Sequence, residues 1–237
     1  MKRLARYMLA RQRKARASKA PALTPRLLIF DFDGTLADTF RAGFEILNKL
    51  SSEFDFRLLS EEDIEIVRDM GMRQVLKYLG IRPTKMAKIA RRGSEELSLR
   101  IQGVQPLQGV LSVVRELHAR GFQIGILTSN SQENVQIFLN NHDLNIFDFV
   151  RSSSKLMGKA REIKAIRKKL GVPKNEILLI GDEMRDIEAA HKDGVAIAAV
   201  VGGYNSRQAL EKVKPQYLLD RPEDLLTLLR QPGEAIS

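Results

Sequence analysis

The chain has 237 residues, 43% of them hydrophobic, a net charge of +10 and no cysteine. That length suits one large α/β domain or a domain carrying an insert, and the missing cysteine excludes disulfides, thiolate metal sites and a cysteine nucleophile. No apolar run reaches the roughly 18 residues of a bilayer-spanning helix.

The charge is concentrated at one end. Lys2, Arg3, Arg6, Arg11, Arg13, Lys14, Arg16 and Lys19 place eight positive charges in the first twenty residues, so that +10 less these eight leaves +2 for the rest. Residues 1–25 read as a basic extension closed by the proline-containing linker Ala20-Pro-Ala-Leu-Thr-Pro25. Such a segment suits contact with an anionic membrane or nucleic acid, an organellar targeting peptide, or plain solvation. With no uninterrupted apolar core of a secretory signal and no cysteine, the expected compartment is the cytoplasm, with organellar targeting left open.

The first strand is the apolar run Leu27-Leu28-Ile29-Phe30, followed at once by Asp31-Phe32-Asp33-Gly34-Thr35. Residues i and i+2 of an extended chain share a face, so Asp31 and Asp33 would repel unless a cation lay between them. Mg²⁺ suits such a site, because it takes carboxylate oxygens and is usually shared with substrate phosphate. Gly34 permits backbone angles closed to other residues, and Thr35 can donate to an anion or brace the loop.

From Phe40 to Gly103 the apolar spacing turns helical: Phe44, Leu47 and Leu50, then Ile64 and Val67, then Val75, Leu76 and Leu79, then Met86, Ile89, Ala90 and Leu97. Breaks at Gly71, Gly80–Pro83 and Gly103–Pro106 mark this stretch as a small helical insert, assigned to residues 40–106. Alternation then resumes, with helices over Val110–Arg120, Gln132–Asn141, Ala160–Leu170, Asp186–Asp193 and Pro222–Leu229. Strands are expected over Gln123–Leu127, Phe147–Ser152, Glu176–Ile180 and Ala196–Val201, with an edge strand at Tyr217–Leu219. Apolar strands separated by helices predict a doubly wound parallel sheet, covered on both faces. Its core comprises residues 26–39 and 107–230, followed by a short tail, 231–237.

Four segments in order resemble the motifs of the haloacid dehalogenase-like hydrolases, in their phosphatase branch. They are Asp31-Phe-Asp-Gly-Thr-Leu-Ala-Asp-Thr39, Thr128-Ser129-Asn130 after an apolar strand, Lys159 at a helix entrance, and Gly181-Asp182-Glu-Met-Arg-Asp186. The resemblance covers about residues 26–230. It implies a Rossmann-like core and hydrolysis of a small phosphorylated metabolite through a phosphoaspartyl intermediate. Asp31 would be the nucleophile and Asp33 the general acid and base. Gly34, Thr128, Ser129 and Lys159 would bind the phosphoryl group. Lys155 competes with Lys159 for its role. Mg²⁺ would be held by Asp31, Asp33 through its carbonyl, and Asp182, with Asp186 in support. Glu183 is a candidate for the outer shell, and Asp38-Thr39 for the insert's hinge.

Asp33 argues against the dehalogenase and phosphonate-cleaving branches, while a phosphosugar mutase shares all four motifs. A binding protein working through the basic tail is the alternative of a different class. The insert would close over the site as a lid, with Arg68 and Arg73 placed to meet a carboxylate or second phosphate. In overall pattern the chain resembles the phosphoglycolate phosphatases.

Overall fold

The computed structural model describes residues 24–153 and 158–229. The basic extension, Lys155 and the 231–237 tail lie outside the described residues. Strand β1 (Leu27–Phe30) is the centre of a six-stranded, all-parallel sheet. Its other strands are β2 (Gln123–Thr128), β3 (Phe149–Ser152), β4 (Ile177–Gly181), β5 (Ala196–Val200) and β6 (Tyr217–Leu219), in the spatial order β3-β2-β1-β4-β5-β6.

The period of two in each strand divides its side chains between two cores. Leu28, Phe30, Ile124, Ile126, Leu178 and Ile180 face one layer, where helices α5 (Val110–Ala119) and α6 (Gln132–Asn141) supply Val113, Leu117 and Phe138. Leu27, Ile29, Leu127, Ile177 and Leu179 face the other, closed by Ile163 of α7 (Lys159–Leu170) and Ile187 of α8 (Met184–Asp193). The doubly wound sheet expected from continuous apolar strands is the one that forms.

Between β1 and α5 the chain makes α1 (Phe40–Phe54), α2 (Asp63–Arg68), α3 (Met72–Tyr78) and α4 (Met86–Ser98). These helices surround an apolar cluster of their own, built on Ile46, Leu50, Leu59, Leu79, Ile81 and Ile89. The chain leaves and re-enters the sheet region at one place, where Ala37 bridges Pro106 and the Asp38 N–H donates to the Gln105 carbonyl at 2.8 Å.

A short helix, α9 (Arg207–Lys212), lies where the sequence reading placed no element. Its signals were local: the Ser206 hydroxyl accepts from the Ala209 N–H at 3.1 Å, and Ala209 and Leu210 are buried. Six residues give too few turns for an apolar period to show. The last helix, α10, is trimmed to Asp224–Leu228. Among the described residues no helix is long and apolar enough to cross a membrane.

Candidate active site

In this strand order the chain winds outward in both directions from the β1–β4 pair, and the carboxyl ends of these two strands frame a crevice. Asp31 follows β1 directly and Asp182 follows β4 directly. Phe30 pairs with Ile180, and the Asp31 N–H donates to the Ile180 carbonyl at 2.8 Å, so the two acids leave the sheet side by side.

Asp186, in the first turn of α8, joins them. Carboxylate oxygens of Asp31, Asp182 and Asp186 lie within 4.8 Å of one another, and all three residues are buried. Lys159, at the start of α7, reaches in from the side: its Nζ is 2.6 Å from Asp31 Oδ2 and 2.5 Å from Asp186 Oδ1. Three buried carboxylates against one ammonium leave an excess of negative charge. Burial pushes the Asp31 carboxyl up to about 7 despite the opposing pull of Lys159. Asp182 is held well above the ordinary carboxylate range by burial and by the charges of Glu183, Asp31 and Asp186. Burial by itself would lower Lys159, but Asp186 and Asp31 outweigh it and hold the ammonium charged.

The loops hold these groups with backbone and hydroxyl donors. Asp31 Oδ1 accepts the Phe32 N–H at 2.7 Å. Asp182 accepts the Thr35 hydroxyl at 2.6 Å on one oxygen and the Tyr204 N–H at 2.7 Å on the other. Gly34 has a positive φ of 74°, and a Cβ there would lie 2.3 Å from Asp182 Oδ2; one on Gly203 would lie 2.2 Å from the same oxygen. Side chains at either position would push Asp182 out of place.

The expected pairing of the Asp31 and Asp33 side chains around one cation is not what forms. The chain leaves β1 before the two acids, so strand alternation no longer governs them. The Asp33 carboxylate instead accepts from Asn130 Nδ2, which lies 3.0 and 3.2 Å from its two oxygens, and Asp186 takes the place beside Asp31. Burial raises Asp33 above the ordinary carboxylate value, while the hydrogen bonds from Thr39 and Asn130 oppose that shift.

Thr128, at the end of β2, is buried, and its hydroxyl accepts the Asn130 N–H at 2.9 Å, leaving its own hydrogen free to donate. Ser129 is exposed at the rim. Thr39 meets the Tyr204 hydroxyl at 3.2 Å, which ties the first residue before α1 to the β5–α9 loop. Of the two arginines considered for substrate, Arg68 donates to the Gly203 carbonyl at 2.7 Å and lies over the Phe40 ring, and Arg73 is exposed.

Three site residues went unassigned in the sequence. Asn130 stood inside the Thr-Ser-Asn motif, and its role could be read only once Asp33 was seen across from it. Arg185 pairs with Glu183 beside the acids and is kept charged by Glu183, Asp186 and Asp31 against the effect of burial. Tyr204 comes from a loop more than 160 residues after Thr39, with only the preceding Gly202-Gly203 as a local sign.

The sequence profile of the haloacid dehalogenase-like hydrolases matches residues 28–200, which contain all of these groups except Tyr204. The chain belongs to that family. A phosphoglycolate phosphatase of Synechococcus elongatus is 32% identical to it over 205 residues, 86% of this chain and 97% of the relative. The pyrophosphatase PpaX of Bacillus mycoides is 25% identical over 213 residues, 85% of this chain and 95% of its own. A predicted phosphatase of Clostridium acetobutylicum shares the fold, with a TM-score of 0.74 at 19% identity over 86% of this chain and 97% of its own. The 32% identity to a phosphatase over nearly its whole length puts the chain on the phosphatase branch of that family.

Proposed function

We propose that the protein hydrolyses a phosphate monoester through an aspartyl-phosphate on Asp31, with Asp33 as the proton carrier. The observation that supports this most is the Asp31–Lys159–Asp186 contact at the β1–β4 crevice, where a buried carboxylate is kept beside a buried ammonium. Asp31 attacks phosphorus, forming an Asp31 O–P bond as the P–O bond to the leaving alcohol breaks. Asp33 gives its proton to the departing alkoxide and then takes one from the water that hydrolyses the phosphoenzyme. The Thr128 hydroxyl and the Lys159 ammonium, with the Ser129 and Gly34 backbone beside them, receive the phosphoryl oxygens.

The donor set fits a hard divalent cation. It consists of oxygens only, three of its carboxylates converge, and Lys159 is the ammonium paired against two of them. Asp31 and Asp182 would hold Mg²⁺ together with the Asp33 carbonyl, and Asp186 would support the ion while it positions Lys159. The ion would supply positive charge against the repulsion between Asp31 and an incoming phosphate. Residues 40–106 would act as a cap, turning on the two chain segments bridged at Ala37 and Pro106.

The names of the relatives make 2-phosphoglycolate and pyrophosphate natural first substrates, beside a generic aryl phosphate. Phosphate release measured with and without added Mg²⁺ tests the reading, and we expect Mg²⁺-dependent turnover of at least one monoester. No release from any phosphate compound in metal-replete buffer would refute it.

A further inference from the structure

The helical insert and the loops after β4 and β5 line a partly open cavity of about 400 Å³, within the range of small-molecule sites. Its walls are side chains of α1, α3 and α4, with Met70 and Val67 from the α2 end, and they are almost wholly apolar. Phe44, Leu47, Val75, Leu76 and Met86 line it, yet each is only half-buried, because part of its surface faces the empty space. Protein interiors close-pack, so apolar surface left open at this scale asks for an occupant.

The position of the cavity says what the occupant is attached to. Its polar end is formed by Glu183, Tyr204 and Asn205. The Tyr204 N–H donates to Asp182 at 2.7 Å and the Glu183 N–H to Asp186 at 3.2 Å, so two residues that line the cavity also hold the carboxylate cluster. The polar side-chain atoms at that end already have partners. Asn205 donates to the Arg68 and Met70 carbonyls, both at 3.0 Å, and accepts the Met184 N–H at 2.9 Å. Glu183 is paired with Arg185, and the Tyr204 hydroxyl with Thr39. Among the described residues no lysine or arginine lines the cavity, and the neighbouring Arg68, which lies over the lining residue Phe40, is engaged by the Gly203 carbonyl. A carboxylate or second phosphate placed among the apolar walls would be desolvated at a cost, with no lining cation among the described residues to pair with it.

We propose that the substrate is a phosphate monoester of an apolar alcohol, alkyl or aromatic, whose hydrocarbon part fills this cavity while its phosphate meets Asp31. The assignment rests on the phosphatase reading of the site and adds to it the chemical class of the leaving group.

The test uses the full chain with Mg²⁺ and the series methyl, butyl and octyl phosphate, with 2-phosphoglycolate as the charged comparison. We expect kcat/KM to rise along the series, by up to about fourfold for each methylene buried, and butyl phosphate to exceed 2-phosphoglycolate. In parallel, binding of 1-octanol to the metal-free chain is measured by calorimetry. A Cβ on Gly93 would make ordinary contacts with Ile46 and Leu50, both at 3.9 Å, so the longer side chain of Gly93→Leu extends into the space. That variant, checked for folding by circular dichroism, should lose the octyl-over-methyl preference and weaken octanol binding. A flat series with no octanol binding would overturn the assignment and leave the phosphatase reading standing; this is also the result if the basic extension or a second copy of the chain fills the cavity. Octanol binding without hydrolysis of any ester would overturn the phosphatase reading, and the substrate class with it.

Discussion

The sheet and the helical insert stand side by side in one chain and are built to different tolerances. In the sheet, Leu27, Leu28 and Ile29 are entirely removed from solvent, and both faces are covered by helices. In the insert, the cluster residues Leu59, Ile81 and Ile89 keep 6 to 9% of their surface, and a partly open apolar cavity lies among its helices. Charge is handled differently as well. The sheet edge buries Asp31, Asp182, Asp186 and Lys159 against one another. The insert's two buried acids, Asp63 and Glu96, are paired with the far more exposed Arg57 and Lys49. Chemistry on phosphorus needs groups held in fixed geometry, and the close-packed sheet provides that. Accepting an organic group, as we propose for the insert, needs room and some give.

Replacing Asp31 by Asn acts on the rigid half and should have the largest effect. Turnover is expected to fall by several orders of magnitude, measured as Mg²⁺-dependent phosphate release. Stability should move the other way. The folded Asp31 carboxyl titrates near 7 against 3.8 unfolded, so its ionisation disfavours the fold as pH rises through that interval. The metal-free variant should therefore melt no lower than the parent at pH 7. A large loss of melting temperature would show that the acid serves the fold before the reaction.

Asn130→Ala is expected to be the next in size. It removes the single amide donor, Asn130 Nδ2, that lies 3.0 and 3.2 Å from the two Asp33 oxygens, and leaves the hydrogen bond from Thr39. Hydrogen bonds to a charged group are worth about 1.5–3 kcal/mol, which corresponds to a loss of roughly ten- to a hundred-fold in kcat with little change in KM. A rise in KM at constant kcat would place Asn130 in substrate binding instead.

The smallest effect is expected in the insert. Asp63 accepts hydrogen bonds from Tyr78, the Ser60 N–H and Arg57, and these keep its carboxyl below the ordinary value. A depressed folded value means stability that is present above about pH 4 and lost as pH falls through the folded value. Asp63→Asn should lower the melting temperature modestly at pH 7 and flatten the acid limb of the stability curve. If kcat at saturating substrate also collapsed, the insert would be coupled to the chemistry more tightly than its looser packing indicates.

The strands, their parallel pairing and the order of the four motifs were legible because each rests on local pattern. An apolar run of four or five residues between helical periods can be satisfied only by a sheet covered on both faces, and Asp31, Lys159 and Asp182 each stand at the end or entrance of an element. Asp31-Phe-Asp announced a charged site, and the helical spacing from Phe44 to Leu97 announced the insert. What the sequence could not contain is which groups face each other once those elements pack. Asp33 turns to Asn130, 97 residues away, and Asp186 occupies the place beside Asp31 that strand alternation had given to Asp33. Tyr204 reaches Thr39 across 165 residues, and the engagement of Arg68 by Gly203 spans 135. The emptiness of the insert's centre is likewise a property of how four helices meet. Periodicity reports which side of a helix is apolar, and the distance at which that side meets its neighbours is set only by the packing itself.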